Sequence, residues 1–120
     1  MKKGITEDAE NPLLRDLFLF YDSLVWFQQS LIQQEMPPEA LEENFQHLID
    51  ELLEVLYRRN VVPQDVPRLF NKLKHHAVEV VRAEKPHHDF RVVRVLKTGF
   101  ERGADTVRPA QVVVARYPQE

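Results

Sequence analysis

The segment from residue 11 to about residue 32 carries more apolar surface than an ordinary surface helix. Asn11 can accept hydrogen bonds from the first free N–H groups of a helix, and Pro12 sacrifices no intrahelical bond there, so this pair predicts a helix start. The apolar positions cover roughly half the helix circumference, whereas a typical surface helix has an apolar stripe of about 100°. The main stripe comprises Leu14, Leu17, Tyr21, Leu24 and Leu31. A helix of this composition must be buried on more than one side.

A second amphipathic helix is predicted from about residue 39 to residue 60, after a break at Pro37 and Pro38. Its apolar positions recur at helical spacing. Acidic residues lie near its start and basic residues near its end, which is the arrangement that the helix dipole favours. Asn60 is suited to cap its C-terminus. The short break predicts that the two helices pack antiparallel.

Two helices in one chain are too few to cover so wide an apolar face, which favours burial against a second copy of the chain. We therefore predict a homodimeric four-helix bundle, to which each chain contributes two helices. The predicted dimer interface consists of Leu14, Leu17, Tyr21, Leu24, Leu31, Phe45, Leu48 and Leu52. The alternative is one thickly buried helix in a monomeric core. A membrane-surface helix is disfavoured because the polar face carries Asp16 and Asp22 with only Arg15 basic.

Leu19 and Trp26 form a separate apolar strip on the far side of the first helix, seven residues apart. The strip could contact a partner helix, but a core position is at least as good an interpretation of Trp26. The sequence leaves both interpretations open.

Two patches near the C-terminus have the composition of β-strands. The first alternates apolar and basic residues over positions 91–97, and the second covers positions 107–114 after Gly99 and Gly103. This pattern predicts a strand, a loop and a strand. A hairpin of this size is marginally stable alone, so it must pack on further strands or on the preceding helices.

Three runs of residues between positions 70 and 115 match a set of known motifs. An F-x-x-x-x-H-x-A-V run is formed by Phe70, His75, Ala77 and Val78. A V-V-x-V-L-x-x-G-aromatic run is formed by Val92, Val93, Val95, Leu96, Gly99 and Phe100. An R-P-A-x-V-x-V-A run is formed by Arg108, Pro109, Ala110, Val112, Val114 and Ala115. In their order and separations these runs resemble the C-terminal β-domain, or wing, of GrpE-family nucleotide exchange factors.

The resemblance implies a co-chaperone. In that family the wing of one subunit docks on the nucleotide-binding domain of a DnaK-type chaperone and holds its cleft open, which expels ADP. Such a factor binds the nucleotide-free state preferentially and therefore weakens nucleotide affinity by linkage. The resemblance implies contacts at Leu96, Val114 and Arg108, and we add Lys97 and Arg102 as exposed cations beside those positions.

Three departures from the family pattern bear on the partner. The long paired helices that precede the bundle in the family are expected to be missing, since about ten residues lie before Asn11. The family has a basic contact residue after the Asn-Gly of its turn, whereas this chain has Gly103, Ala104 and Asp105, which reverses the local charge. Gln111 stands where the family commonly has Met. The alternative function is a non-exchanging adaptor on a GrpE-like scaffold, which serves a divergent chaperone or another protein.

Composition limits the other function classes. Residues 1–85 hold 10 Lys/Arg against 15 Asp/Glu and residues 86–120 hold 6 against 4, so neither half is basic enough to suggest nucleic-acid binding. The chain contains no cysteine, which excludes disulfides and thiolate chemistry. The N-terminus lacks the apolar core of a secretory signal, and no apolar run approaches the roughly 18 residues of a membrane span. We therefore predict a cytoplasmic protein.

Candidate catalytic and metal-binding groups are few. The pairs His75–His76 and His87–His88 suggest metal ligation, but adjacent residues on a strand point to opposite faces, so each pair offers one ligand per face. His75 is better interpreted as a packed, hydrogen-bonded residue of the wing. The chain shows no nucleophile elbow and no phosphate-cradling glycine loop. We predict no enzyme activity, no metal and no cofactor.

The predicted organisation is an α+β chain with four parts. These are a disordered tail over residues 1–10, a helical dimerisation hairpin over 11–60, a linker over 61–74 and a β-wing domain over 75–117. The predicted partners are a DnaK-type chaperone and a second copy of the chain, with no role for nucleic acid or membrane.

Overall fold

The structure of the chain is a computed structural model that describes residues 11–65 and 67–118. The chain forms two compact units, a helical unit that ends at Arg59 and a β unit that begins at Asn60. The order of elements, two helices followed by strands, confirms the predicted α+β class. The predicted disordered tail lies outside the described residues.

The first helix, α1, spans Pro12–Gln33. Asn11 caps it as predicted, because its side-chain oxygen accepts hydrogen bonds from the N–H groups of Leu13 at 2.9 Å and Leu14 at 3.4 Å. The N–H of Gln34 donates to the carbonyl of Ser30 at 2.9 Å, and the backbone becomes extended at that point. Both ends of α1 therefore agree with the sequence prediction to within about one residue.

The second helix, α2, spans Pro38–Tyr57 and ends three residues before the predicted position. Glu39 lies in its first turn, where a negative charge complements the helix dipole. The chain leaves the helix through a turn in which Asn60 has a φ of 62°, a left-handed conformation that asparagine tolerates better than most residues.

The two helices meet along a seam that buries Phe27, Leu48 and Val55. The rings of Phe27 and Phe45 pack edge to face with their centroids 5.1 Å apart. The hydroxyl of Ser23 donates to the carboxylate of Glu51 at 3.0 Å, which satisfies a polar pair within the seam. The helical unit thus has a narrow core of its own.

A charged fork joins the beginning of α1 to the end of α2. The carboxylate of Asp16 accepts a hydrogen bond from Arg58 at 2.8 Å and another from Arg59 at 3.0 Å. The bond from Arg59, together with Arg58, holds the pKa of Asp16 below its ordinary value. Since a shift of one helix along the other would break both bonds, the fork fixes the register of the hairpin.

The β unit contains two three-stranded sheets. The first has the order β1-β4-β5, from strands Val62–Pro63, Phe100–Arg102 and Asp105–Arg108. The second has the order β2-β6-β3, from strands His75–Arg82, Ala110–Arg116 and Val92–Lys97. Strand β6 pairs parallel with β2 and antiparallel with β3, so it is the central strand of its sheet.

Strand β6 also supplies the core of the β unit. Ala110, Val112 and Val114 are at most 2% exposed. The partly buried residues packed against them are Phe70, Ala77, Val92 and Val95. Val113 and Ala115 are buried as well, so both faces of β6 are covered.

The strand, loop and strand predicted near the C-terminus are present, but the β unit contains further strands that were not predicted. The first predicted strand is confirmed as β3. The run predicted as the second strand is divided at Pro109, so that Val107 belongs to β5 and the valines after Pro109 to β6, which pairs with β3. The intervening loop contains the β4–β5 hairpin, and the stretch interpreted as a linker, residues 61–74, contains β1. Their strands are only two to four residues long, which is too short for a clear alternation of apolar and polar residues.

The placement of the second histidine pair on a strand was wrong. Pro86 begins a single 3₁₀ turn, Pro86–His88, in which the rings of His87 and His88 contact each other with centroids 4.3 Å apart. Phe90 follows with a left-handed φ of 65°, and the Arg116 guanidinium lies 4.0 Å from the centre of its ring. A proline favours this turn because its fixed φ suits the first helical position.

Candidate protein-binding surface

Most of the predicted contact residues lie on or beside the β4–β5 hairpin. Leu96 and Lys97 end β3, and only two residues separate them from β4. Arg102 and Asp105 face each other at the tip of the hairpin. Arg108 ends β5 at its base. These five residues lie within residues 96–108, at the end of β3 and on the β4–β5 hairpin that follows it.

The base of the hairpin holds Arg108 in a defined position. Its guanidinium donates two hydrogen bonds to the carbonyl of Thr98, at 3.1 Å from Nε and 2.7 Å from Nη2. The same group lies 5.2 Å from the centre of the Phe100 ring, the residue opposite Arg108 in the β4–β5 pairing. The charge is thus oriented before any partner arrives, although the side chain remains exposed.

The tip of the hairpin is a two-residue turn. Gly103 has a φ of 57° and Ala104 follows it, and a positive φ at the first of two central residues is typical of a type II′ hairpin turn. Asp105 is exposed directly after the turn. Asp105 therefore lies next to the tip of the hairpin, opposite Arg102 in the β4–β5 pairing.

Gly99 and Gln64 anchor the hairpin to the rest of the β unit, and the sequence predicted no role for Gln64. The N–H of Gln64 donates to the carbonyl of Gly99 at 2.9 Å, and its side-chain amide donates to the carbonyl of Lys74 at 3.3 Å. A Cβ added to Gly99 would lie 2.6 Å from the backbone nitrogen of Ala110 and would also collide with the Gln64 amide. Only a glycine permits this approach, so the family motif glycine is the sequence signal for the contact.

Val114 occupies a different environment from the other predicted contacts. It is 2% exposed in the middle of β6, whereas Leu96 is 45% exposed. Its side chain packs in the core, so it cannot meet a partner directly, and we correct its assignment to a core residue. Leu96 keeps its assignment as a candidate contact.

His75 is a packed, hydrogen-bonded residue, as predicted. It is 8% exposed, and its Nδ1 accepts a hydrogen bond from the N–H of Asn71 at 2.9 Å. Burial lowers the pKa of His75, and the neighbouring charge of Lys74 lowers it further. An accepting Nδ1 requires the neutral imidazole, so the geometry and the direction of the pKa shift agree.

The residues predicted for the dimer interface divide into two groups. Leu48 is 8% exposed because it packs in the seam of its own hairpin, so we correct its assignment to the seam. Most of the others keep a large exposed fraction: Leu17 37%, Tyr21 65%, Leu24 42%, Leu31 37%, Phe45 55% and Leu52 37%. Leu14 is half-buried. These apolar side chains therefore remain largely uncovered by the chain's own helices.

The described residues contain no cluster of three or more His, Cys, Asp or Glu side chains that could hold a metal ion. Within residues 11–65 and 67–118, neither helix is both long and apolar enough to cross a membrane.

The described residues thus form a helical hairpin followed by a small β domain, and most of the predicted contact residues lie on or beside the β4–β5 hairpin of that domain. The family model GrpE matches residues 2–116, and the chain belongs to the GrpE family. Three proteins named Protein GrpE are similar to it over 119 residues, or 99% of the chain. Those of Thermotoga sp. strain RQ2 and Thermotoga petrophila are 27% identical to it, and that of Thermotoga maritima is 26% identical. The chain spans 66% of the length of each relative, which is just under two thirds.

Proposed function

We propose that this protein is a nucleotide exchange factor that promotes ADP release from the ATPase domain of a DnaK-type chaperone. The match of the GrpE family model to residues 2–116 is the observation that carries the proposal. The factor would bind the open, nucleotide-free chaperone more tightly than the closed one. By linkage it would weaken the affinity of the chaperone for ADP by the same factor.

The β4–β5 hairpin would form the docking element. Leu96 would supply an apolar anchor, and the cations of Lys97, Arg102 and Arg108 would face acidic groups of the chaperone. Two hydrogen bonds and a ring contact already orient Arg108, so binding would cost little further ordering of that side chain. The close packing of Gly99 on Gln64 supports this role, because a rigid hairpin can hold a cleft open better than a mobile one.

The helical unit would act as a homodimer. Its exposed apolar face, which includes Leu17, Leu24 and Phe45, would pair with the same face of a second copy to complete a four-helix bundle. Burial of a leucine side chain contributes about 1.5–3 kcal/mol, so several such residues would supply a strong driving force for dimerisation. In the family a single wing docks on each chaperone, and the proposed stoichiometry is therefore one chaperone to one dimer.

The protein would carry out no covalent chemistry and would need no cofactor. We place it in the cytoplasm, in contact with neither nucleic acid nor membrane. Its effect on the chaperone would come entirely from the difference in binding free energy between two chaperone states.

Stopped-flow release of a fluorescent ADP analogue from a DnaK-type chaperone of the same organism tests the proposal. We expect release to accelerate and to saturate with the concentration of the factor. Arg108→Ala should weaken the acceleration by about tenfold or more at subsaturating concentration, because it removes an oriented charge. Val80→Ala is the matched control, since Val80 is 61% exposed on β2 and has no proposed contact, and it should leave the rate unchanged. No acceleration by a folded, dimeric factor would refute the proposal.

A second function is favoured by one observation, the carboxylate of Asp105 at the hairpin tip. A partner with a basic patch opposite Asp105 would make the protein an adaptor that binds without exchange activity. Asp105→Lys separates the two functions. If the chaperone surface is acidic, this change should increase both binding and ADP release. If the protein is an adaptor for a basic partner, binding should weaken and ADP release should stay at its basal rate in both forms.

A further inference from the structure

The helical hairpin has two different faces, one on each side of the seam between α1 and α2. The face proposed for dimerisation carries Leu17, Leu24 and Leu31 from α1. Because each residue advances the helix by about 100°, Leu19 and Trp26 lie on the opposite side of the seam from those leucines. A four-helix bundle built on the first face therefore leaves Leu19 and Trp26 on its outer surface.

A groove of about 560 Å³ runs between the helices on this outer side. Its apolar lining includes Leu19, Trp26, Phe27 and Leu48. Trp26 is 62% exposed and Leu19 is 61% exposed, although both border a concave surface that could cover them. A large aromatic side chain beside a concavity is the kind of residue that dominates binding energy at protein interfaces.

The charge of the helical unit indicates the chemistry of the occupant. Residues 11–59 contain nine Asp/Glu, three Arg and no Lys. Two of the three arginines, Arg58 and Arg59, are paired with Asp16. The groove itself is lined by the carboxylates of Asp22 and Glu51 and by the imidazole of His47, and the part of its lining that the structure describes includes no Lys or Arg. Its electrostatic potential therefore favours a cation.

The same charge disfavours a second copy of the helical unit as the occupant. A second copy that docked through this same face would bring its own Asp22 and Glu51 against these carboxylates, and like charges placed together across an interface are destabilising. Nucleic acid and phosphate are disfavoured for the same reason. A basic segment of another protein meets both requirements, since it can supply apolar side chains and positive charges together.

We infer that this groove binds a basic amphipathic helix of a partner protein. Leu19 and Trp26 are seven residues apart, which is about 10 Å along the helix axis. That separation matches apolar side chains at positions i, i+3 or i+4, and i+7 of a bound helix, the pattern of helix-in-groove recognition. Lysines or arginines beside those positions would face Asp22 and Glu51. The site is separate from the β4–β5 hairpin, and it does not depend on exchange activity.

The single tryptophan of the chain provides the readout, because Trp26 lines the groove and no other residue contributes indole fluorescence. The probe is a tryptophan-free helical peptide of about 18 residues with leucines at helical spacing and lysines on its other positions. The matched control peptide carries glutamates in place of the lysines. We expect the lysine peptide to shift Trp26 emission to the blue with a saturable dependence on concentration. The glutamate peptide should cause no saturable change.

A pair of charge reversals assigns the binding to this groove. Asp22→Lys should weaken the affinity for the lysine peptide by about tenfold, because it places a cation on the groove wall. Asp50→Lys makes the same change in an exposed residue of α2 that does not line the groove, and it should alter the affinity by less than about threefold. Sedimentation velocity on each variant establishes that the oligomeric state is that of the unsubstituted protein.

Several outcomes would overturn the inference. One is the absence of a Trp26 response to the lysine peptide, and another is an equal response to both peptides. A third is a loss of affinity in Asp22→Lys no larger than that in Asp50→Lys, which would place the peptide on another acidic surface. The fourth outcome concerns the protein without peptide. If its Trp26 emission is blue-shifted in the dimer and moves to the red when dilution dissociates the dimer, the second copy covers the groove.

Discussion

The helical unit and the β unit differ in how much of their apolar surface they bury by themselves. Strand β6 buries five of its residues, Ala110 and the four from Val112 to Ala115, and Val112 is fully buried. The seam of the helical unit buries only Phe27, Leu48 and Val55, and it leaves Leu24 and Trp26 at 42% and 62% exposure. The β unit encloses its own core, whereas the helical unit displays apolar surface that other chains can cover.

The charges of the two units differ in the same way. Residues 11–59 carry nine acidic side chains against three basic ones, and residues 60–118 carry six against eleven. Opposite net charges allow two separate sets of partners to be recognised without competition between the surfaces. The comparison therefore suggests a division of roles, with assembly in the helical unit and recognition in both.

The substitution with the largest expected effect on stability tests whether the β unit depends on its own core. Val112→Asp would place an unpaired carboxylate in a fully buried position. We expect the free energy of unfolding of the β unit to fall by more than about 4 kcal/mol, so that this unit unfolds. Val93→Asp is the matched control on β3, where the side chain is 53% exposed, and it should cost less than about 1 kcal/mol. Amide NMR spectra and urea unfolding measure both. Equal stability of the two variants would contradict the proposed core.

The next effect tests whether the helical unit depends on a second copy. Leu24→Asp should dissociate the dimer or unfold the helices, because it places a charge in the proposed interface. Sedimentation velocity and far-UV circular dichroism at several concentrations provide the measurement. Gln29→Asp, on the same helix but outside the proposed interface, should leave the sedimentation profile unchanged. The same monomeric profile for the unsubstituted protein and Leu24→Asp would remove the dimer from the proposal.

A smaller effect distinguishes the two glycines of the β4–β5 region. Gly99→Ala should cost about 1–3 kcal/mol, because its Cβ would lie 2.6 Å from the backbone nitrogen of Ala110, which cannot easily move. The Cβ added by Gly103→Ala would have no atom within 4 Å. Only the left-handed φ of 57° is then unfavourable, and it should lower the free energy of unfolding by about 1 kcal/mol. Urea unfolding should therefore rank Gly99→Ala as the more damaging change. The reverse order would show that the hairpin base is not close-packed.

The smallest effect concerns the pH dependence of the β unit. The pKa of His75 lies below its ordinary value of 6.5 in the folded protein, so the unfolded chain binds a proton more readily. The contribution of His75 to stability is complete above about pH 6.5 and is lost as the pH falls towards the folded pKa. Unfolding temperatures measured between about pH 7.5 and pH 5 should fall less steeply for His75→Gln than for the unsubstituted protein.

The exposed neighbour His76 is the control for that measurement. His76→Gln should reproduce the slope of the unsubstituted protein. Burial and the adjacent His87 also lower the pKa of His88, so part of the slope should remain in His75→Gln. An identical slope in all three proteins would contradict the role given to His75.

Local signals in the sequence predicted the parts of the fold that depend on neighbouring residues. The Asn11–Pro12 pair predicted the start of α1 because capping is decided within one helical turn. The valine-rich patches predicted β3 and β6 for a similar reason. The family motifs supplied two of the candidate contacts, Leu96 and Arg108, which lie at the ends of β3 and β5, and their contact with a partner stays a prediction.

Contacts between distant residues could not be predicted in the same way. The parallel pairing of β2 with β6 joins His75 to Ala110, and no pattern within either strand specifies that partner. The burial of Val114 did have a signal, because the uninterrupted apolar run over residues 112–115 is typical of a strand covered on both faces. The anchoring role of Gln64 had a signal on one side only, because Gly99 marks a close approach but nothing in the sequence identifies Gln64 as the residue that approaches it.

The central position of β6 has a consequence for synthesis on the ribosome. Among the strands of residues 11–65 and 67–118, both β2 and β3 pair only with β6, which follows them in the chain. At about 5–20 residues per second, β2 must wait about 1–6 seconds after leaving the exit tunnel before the first residue of its neighbour emerges. The helices α1 and α2 need only each other to form their seam. A nascent chain arrested before residue 110 emerges would therefore carry a helical hairpin but no β2-β6-β3 sheet.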